Sequence, residues 1–173
     1  MKGFRQLVEL PDYVTLLSSA SGMLSIIFSV NGEFTAAAWF LLAALMFDRL
    51  DGYVARRINR REKTFGREID SLSDCLAFGA APAVFGYCLG MKDLFSVMVI
   101  MFFVSAVILR LARYNVQTTD PGYYHGMNVA YNGLLFPLVY FIRLVMPFDP
   151  SIIVLLYLLA GILMLSSIKW KKI

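Results

Sequence analysis

The stretch from Phe47 to Asp74, FDRLDGYVARRINRREKTFGREIDSLSD, sets four carboxylates, Asp48, Asp51, Asp70 and Asp74, in a chain that otherwise reads as membrane. An ionisable side chain in or near a bilayer is costly enough to mark a functional site with a partner, and four acids together need cations between them. The apolar run leading into Asp48, AAAWFLLAALMF, predicts a helix. Asp48 and Asp51, three apart, therefore share one face, with Gly52 and Ala55 beside them, and Asp70 and Asp74, four apart, share a face of the next helix.

Two helix ends bearing paired acids and joined by a short basic loop bring four oxygen ligands to one point. Hard divalent ions such as Mg2+ or Mn2+ take carboxylate oxygens, and a two-metal clamp suits an in-line displacement at phosphorus. Gly52, Ala55 and Gly66 carry almost no side chain, which leaves room for a ligand against the backbone. Small residues at helical spacing also serve tight helix packing in membranes, and both readings of them stand. Structural pairing with Arg49, Arg56 or Arg67 does not require four carboxylates on two faces.

Asp48, Asp51-Gly52, Ala55-Arg56, Gly66, Asp70 and Asp74 resemble the signature of the CDP-alcohol phosphotransferase family, D-x-x-D-G-x-x-A-R, a variable spacer, then G-x-x-x-D-x-x-x-D. All eight defining positions are present, with nine residues between Arg56 and Gly66, slightly longer than the commonest spacer. The resemblance implies a membrane enzyme in which Asp48, Asp51, Asp70 and Asp74 bind two divalent metals that hold the pyrophosphate of a CDP-linked lipid. Asp74 would also act as general base, with Gly52, Ala55, Arg56 and Gly66 lining the CDP-lipid site. Family members are often homodimers, so a homodimer is expected.

Composition agrees with a single all-α membrane domain: 173 residues, 59% hydrophobic, mean hydropathy +0.68. A net charge of +4 could suggest nucleic acid, but the basic residues lie between apolar segments, which points to a membrane surface. Cys75 and Cys88 lack metal-like spacing and read as packing residues. Residues 1–12 read as a short interfacial segment. Six transmembrane helices are predicted over about residues 13–30, 34–59, 67–89, 93–116, 129–146 and 152–168, with a turn at Asn31-Gly32 and a bend at Gly79 and Pro82. All but Lys92 and Arg143 of the sixteen lysines and arginines then fall on the face of the termini and the acid cluster, so that face is expected to be cytoplasmic.

Further stretches resemble the phosphatidylserine synthase branch of the family: the DYVT entry at Asp12–Thr15, SLSDCLAFGAAPA from Ser71, ILRLARYN at Ile108–Asn115 and LMLSSIKW at Leu163–Trp170. The segment HGMNVAYNG, His125–Gly133, departs from the family's usual glycine, proline and small-residue pattern. The resemblance implies transfer from CDP-diacylglycerol or CDP-archaeol to L-serine with release of CMP. It also places Thr15 near the nucleotide, although a membrane-helix threonine equally bonds its own backbone. Serine is a zwitterion, so Arg110 and Arg113 are candidates for its carboxylate and Asn115, Asn128 or Asn132 for uncharged contacts; interface anchoring is the other reading of the arginines. His125 lacks the surroundings of a phosphoenzyme site, which favours direct transfer. A sibling transferase using glycerol phosphate or inositol phosphate, and a membrane transporter, are the alternatives.

Overall fold

The computed structural model describes residues 8–58, 63–116, 123–146 and 149–171. Helix α1, Leu10–Val30, begins three residues before the predicted start because Pro11 fits a first helical turn and Asp12 closes a capping box, its Oδ2 accepting from the Glu9 amide at 2.8 Å. Leu10–Asp12 thus belong to α1, and residues 1–7 of the expected interfacial segment lie outside the described residues. The Asn31-Gly32 turn is present: Gly32 has φ 80° and the Glu33 amide reaches back to Phe28 O at 2.9 Å, so α1 ends in a left-handed cap.

Helix α2, Phe34–Ile58, carries the first two acids near its C-terminal end. The next run opens at Lys63, four residues early, as α3, Lys63–Asp74. It passes through a π-helical turn, Cys75–Ala80, into α4, Ala81–Cys88. Pro82 has no N–H to give the carbonyl of Phe78 four residues back, and the Asn132 amide nitrogen donates to that carbonyl instead, at 3.1 Å. The predicted bend is therefore a π turn whose freed backbone oxygen is met from another helix.

Helix α5, Leu94–Val116, is followed by a short strand β1, Tyr123–His125, a 3₁₀ turn, Val129–Tyr131, and α6, Asn132–Val145. Helix α7, Ser151–Leu165, stops three residues before the predicted end, and β2, Lys169–Lys171, pairs antiparallel with β1, Tyr124 opposite Trp170. Its last carbonyls are met from outside: Met127 N donates to Leu163 O at 3.0 Å, and the Arg113 guanidinium lies 3.2–3.4 Å from the carbonyls of Met164, Leu165 and Ser166. The fold is otherwise helical among the described residues.

One core joins the π turn to α5, α6 and α7 around Phe103, Phe136 and Tyr157, with Tyr157 donating to Pro82 O at 2.5 Å. A second lies among α1, α2 and α4, at Ala37, Leu41, Ala81 and Phe85. Helix α1 is inverted relative to a soluble helix: Thr15, Ser18, Ser21, Gly22, Ser25 and Ser29 are buried, whereas Leu16, Leu17, Leu24 and Ile27 face outward. Small and hydroxyl residues inside with aliphatic residues outside is how helices pack in lipid. A Cβ on Gly22 would lie 2.7 Å from Ala77 Cα, so α1 crosses the π turn at backbone contact. Two helices, Leu10–Val30 and Leu94–Val116, are long and apolar enough to cross a bilayer unaided, as the outward-facing aliphatic residues of α1 suit.

Candidate active site

Because α2 and α3 bring their acid-bearing ends together, one carboxylate oxygen each from Asp48, Asp70 and Asp74 lies within 4.8 Å of the others. Like charges at that separation repel strongly in a partly dehydrated setting, and hard oxygen donors so placed fit a divalent cation. Asp51 is turned aside. Its Oδ2 accepts a 2.6 Å hydrogen bond from the Thr15 hydroxyl of α1, which also lies 3.1 Å from its own Pro11 carbonyl, so the backbone contact expected of a membrane-helix threonine stands beside one to a carboxylate of the motif. Ser73, beside Asp74, donates to Thr15 O at 3.0 Å and receives the Ser19 hydroxyl at 2.7 Å. Helix α1 is thereby tied to both acid-bearing helices.

Two cavities meet at Asp70. The larger, about 470 Å3, is lined by Thr15, Asp51, Gly52, Ala55, Arg56, Gly66 and Asp70, with Pro11, Arg67 and Tyr114 completing the wall. All five residues assigned from sequence to the CDP-lipid therefore line one space. The small residues there are not needed for packing at Gly52: a Cβ on it would meet only the Arg56 guanidinium, at 3.8 Å. Of the two readings of the small residues, the open wall is the one that fits this position.

The smaller cavity, about 150 Å3, is lined by Asp48, Asp70, Ser71, Asp74, Arg110, Leu111, Tyr114 and Asn128. Arg110 is buried, at 5% exposure, with its guanidinium 5.4 Å from the centre of the Tyr114 ring. It is not an interface anchor. Three carboxylates share this cavity with one guanidinium among the lining residues, so it carries excess negative charge that a bound cation would balance. Arg113, one turn on, is placed on the α7 carbonyls, and Asn132 is fully buried on the Phe78 carbonyl; neither lines either cavity. Asn128 does, while its Oδ1 accepts from Ala130 N at 3.3 Å, and Asn115 accepts from Ser71 at 3.0 Å. Ser71 and Tyr114 line the smaller cavity as well and are not among the residues that the sequence marks as candidates. Tyr114 lies four residues after Arg110, and that helical spacing was the available signal. Of the basic loop, Arg60 and Arg61 lie outside the described residues.

Several known proteins resemble the chain in sequence over most of its length. It is 32% identical to an archaetidylserine synthase of Methanothermobacter thermautotrophicus over 99% of its own length and 73% of that protein's. It is 34% identical to a CDP-diacylglycerol–serine O-phosphatidyltransferase of Methanocaldococcus jannaschii over 99% of the chain and 78% of the relative. With the Saccharomyces cerevisiae enzyme of the same description it shares 38% identity over 65% of the chain, and this match spans under half of the yeast protein, 43%. The model of one family matches residues 8–171, nearly the whole chain and both cavities with it, and the chain belongs to that family, the CDP-alcohol phosphatidyltransferases.

Proposed function

We propose that the protein transfers the lipid-bearing phosphoryl group of CDP-diacylglycerol or CDP-archaeol to the hydroxyl of L-serine and releases CMP. The observation that carries this reading is the pair of cavities sharing Asp70, one lined by Gly52, Ala55, Arg56 and Gly66 of the motif together with Thr15, the other by Asp74 and the buried Arg110. The relatives named as serine and archaetidylserine transferases support serine as the acceptor.

Asp48, Asp70 and Asp74, with Asp51 at the wall of the larger cavity, would hold two divalent ions, Mg2+ or Mn2+, which when bound supply charge neutralisation for the pyrophosphate and the departing CMP. Arg56 binds a substrate phosphate from the exposed side of the larger cavity. Arg110 pairs with the serine carboxylate in the smaller one, and the size of that cavity, about 150 Å3, suits a small acceptor. Asp74 takes the proton of the serine hydroxyl as its oxygen bonds to phosphorus and the bond from phosphorus to the CMP oxygen breaks. The flanking apolar helices carry the lipid tails. Six spans, with the site and both termini at the cytoplasmic face and the chain paired as a homodimer, complete the proposal.

A glycerol phosphate acceptor would also suit Arg110, so the acceptor is decided by measurement. CMP release by purified protein from the CDP-lipid with Mg2+ or Mn2+ is expected with serine and not with glycerol phosphate, inositol phosphate or no acceptor, and a chelator should stop it. Asp74→Asn should reduce release at least a hundredfold, in line with the usual worth of a general base. Release driven by another alcohol would replace the acceptor. Ordinary turnover by Asp74→Asn would remove the base assignment.

A further inference from the structure

At the opposite end of the bundle lies another cavity, of about 450 Å3, where the end of α4 and the start of α5 meet α6 and α7. Helix α5 runs from this cavity at Ser96 to the carboxylate site at Arg110, roughly 20 Å at 1.5 Å per residue, so the two sites face opposite boundaries of the membrane. Arg143 is half-buried in its wall and makes no hydrogen bond or ion pair among the described residues. The one carboxylate among the lining residues, Asp93, is engaged by its own helix, accepting from Ser96 N at 3.1 Å and from the Ser96 hydroxyl. Nearby Asp149 likewise accepts from Ser151 N, at 2.8 Å, at the start of α7. Asp93 and Asp149 are both turned to helix starts, and no carboxylate pairs with the guanidinium among the described residues.

A half-buried guanidinium without a carboxylate calls for an anion, and its planar fork matches phosphate oxygens. Val154, Leu155 and Leu158 of α7 continue the wall as an apolar surface leading toward the membrane interior. A cation at the boundary with aliphatic wall beneath it complements a molecule that has a phosphate head and a hydrocarbon tail. We propose that this cavity holds one membrane phospholipid from the leaflet opposite the carboxylate site, its phosphate on Arg143 and one tail along α7.

The test is native mass spectrometry of the full chain in a neutral detergent, titrated with dioleoyl phosphatidylglycerol while CDP, a nucleotide head without tails, is held saturating to occupy the other site. The wild type should retain one phosphatidylglycerol. Arg143→Gln, with unchanged elution and melting, should bind it at least tenfold more weakly, the usual worth of a charge-assisted hydrogen bond. Arg143→Lys should keep most of the affinity. Dioleoylglycerol, which has tails without phosphate, and glycerol phosphate, which has phosphate without tails, should fail to displace it. Equal retention by Arg143→Gln, no retained lipid in the wild type, or displacement by glycerol phosphate alone would each overturn the proposal.

Discussion

Thr15 has one hydroxyl proton and two acceptors in reach, and the shorter contact, 2.6 Å to Asp51 Oδ2 against 3.1 Å to Pro11 O, goes to the carboxylate. A hydrogen bond to a charged group is worth about 1.5–3 kcal/mol, against about 1 for a neutral one, so the Asp51 contact governs where both side chains point. It holds Asp51 toward the larger cavity and apart from the cluster of Asp48, Asp70 and Asp74. Thr15→Val keeps the shape and removes the donor. It should lower CMP release roughly tenfold or more and raise the Mg2+ concentration needed for half-maximal rate, whereas Thr15→Ser should restore both. A Thr15→Val protein with wild-type metal dependence would mean the bond does not position Asp51. The four acids were legible in the sequence because charge among apolar residues has few explanations. Thr15's partner was not, since it comes from 36 residues away. Arg110 and Arg113 could not be separated either: three residues turn a helix by about 300°, and that 60° offset sends one guanidinium to the acids and the other to the α7 carbonyls.

Elements were legible where local chemistry decides them and less so where distant groups do. The Asn31-Gly32 turn and the extent of α2 follow from turn residues and an apolar run, and both are present. The π turn before Pro82 depends on Asn132, fifty-four residues away from the carbonyl it meets, and no local pattern announces it. The end of α7 is similar, because Leu163–Ser166 reads as continuing helix until Arg113 and the β1 segment meet its carbonyls. The start of α7 is local. Asp149 accepts from Ser151, and those hydrogen bonds from the Ser151 side chain and backbone hold its carboxyl below the usual carboxylate range. A group whose pKa is lowered on folding adds stability above its unfolded value, about 3.9, and loses that contribution as pH falls through the lower folded value. Asp149→Ala should therefore melt a few degrees below wild type at pH 7 and pH 5, with the gap closing below about pH 4. A gap unchanged at pH 3 would assign the effect to something other than this carboxylate's charge.

At the scale of the molecule, membrane residence follows from which residues the fold turns outward. Leu16, Leu17 and Ile27 of α1 and Leu94, Phe95, Met98 and Met101 of α5 are exposed, while α1 buries its serines. The sequence shows how apolar each segment is but not which face is inside, so this inversion became visible only in the fold. Helix α2, 25 residues and roughly 38 Å long, exceeds the ~30 Å hydrocarbon core, which lets its acid-bearing end reach the interface. Helices α6 and α7, at 14 and 15 residues, are shorter than that core and require local thinning or flanking polar anchors to span it. The proposed six-span arrangement with a cytoplasmic site makes a sharp demand on the loops: Glu33 and Lys92 must face one side and Arg57 the other. In a background with Cys75→Ala and Cys88→Ala, a membrane-impermeant maleimide should label Glu33→Cys and Lys92→Cys in intact cells. It should label Arg57→Cys only after permeabilisation. The reverse pattern would keep the spans and invert the orientation, placing the carboxylates where the positive-inside bias disfavours them. Labelling of Glu33→Cys and Arg57→Cys from the same side would mean that α2 does not cross, and the acid cluster would then have to be reached from the face that carries Glu33.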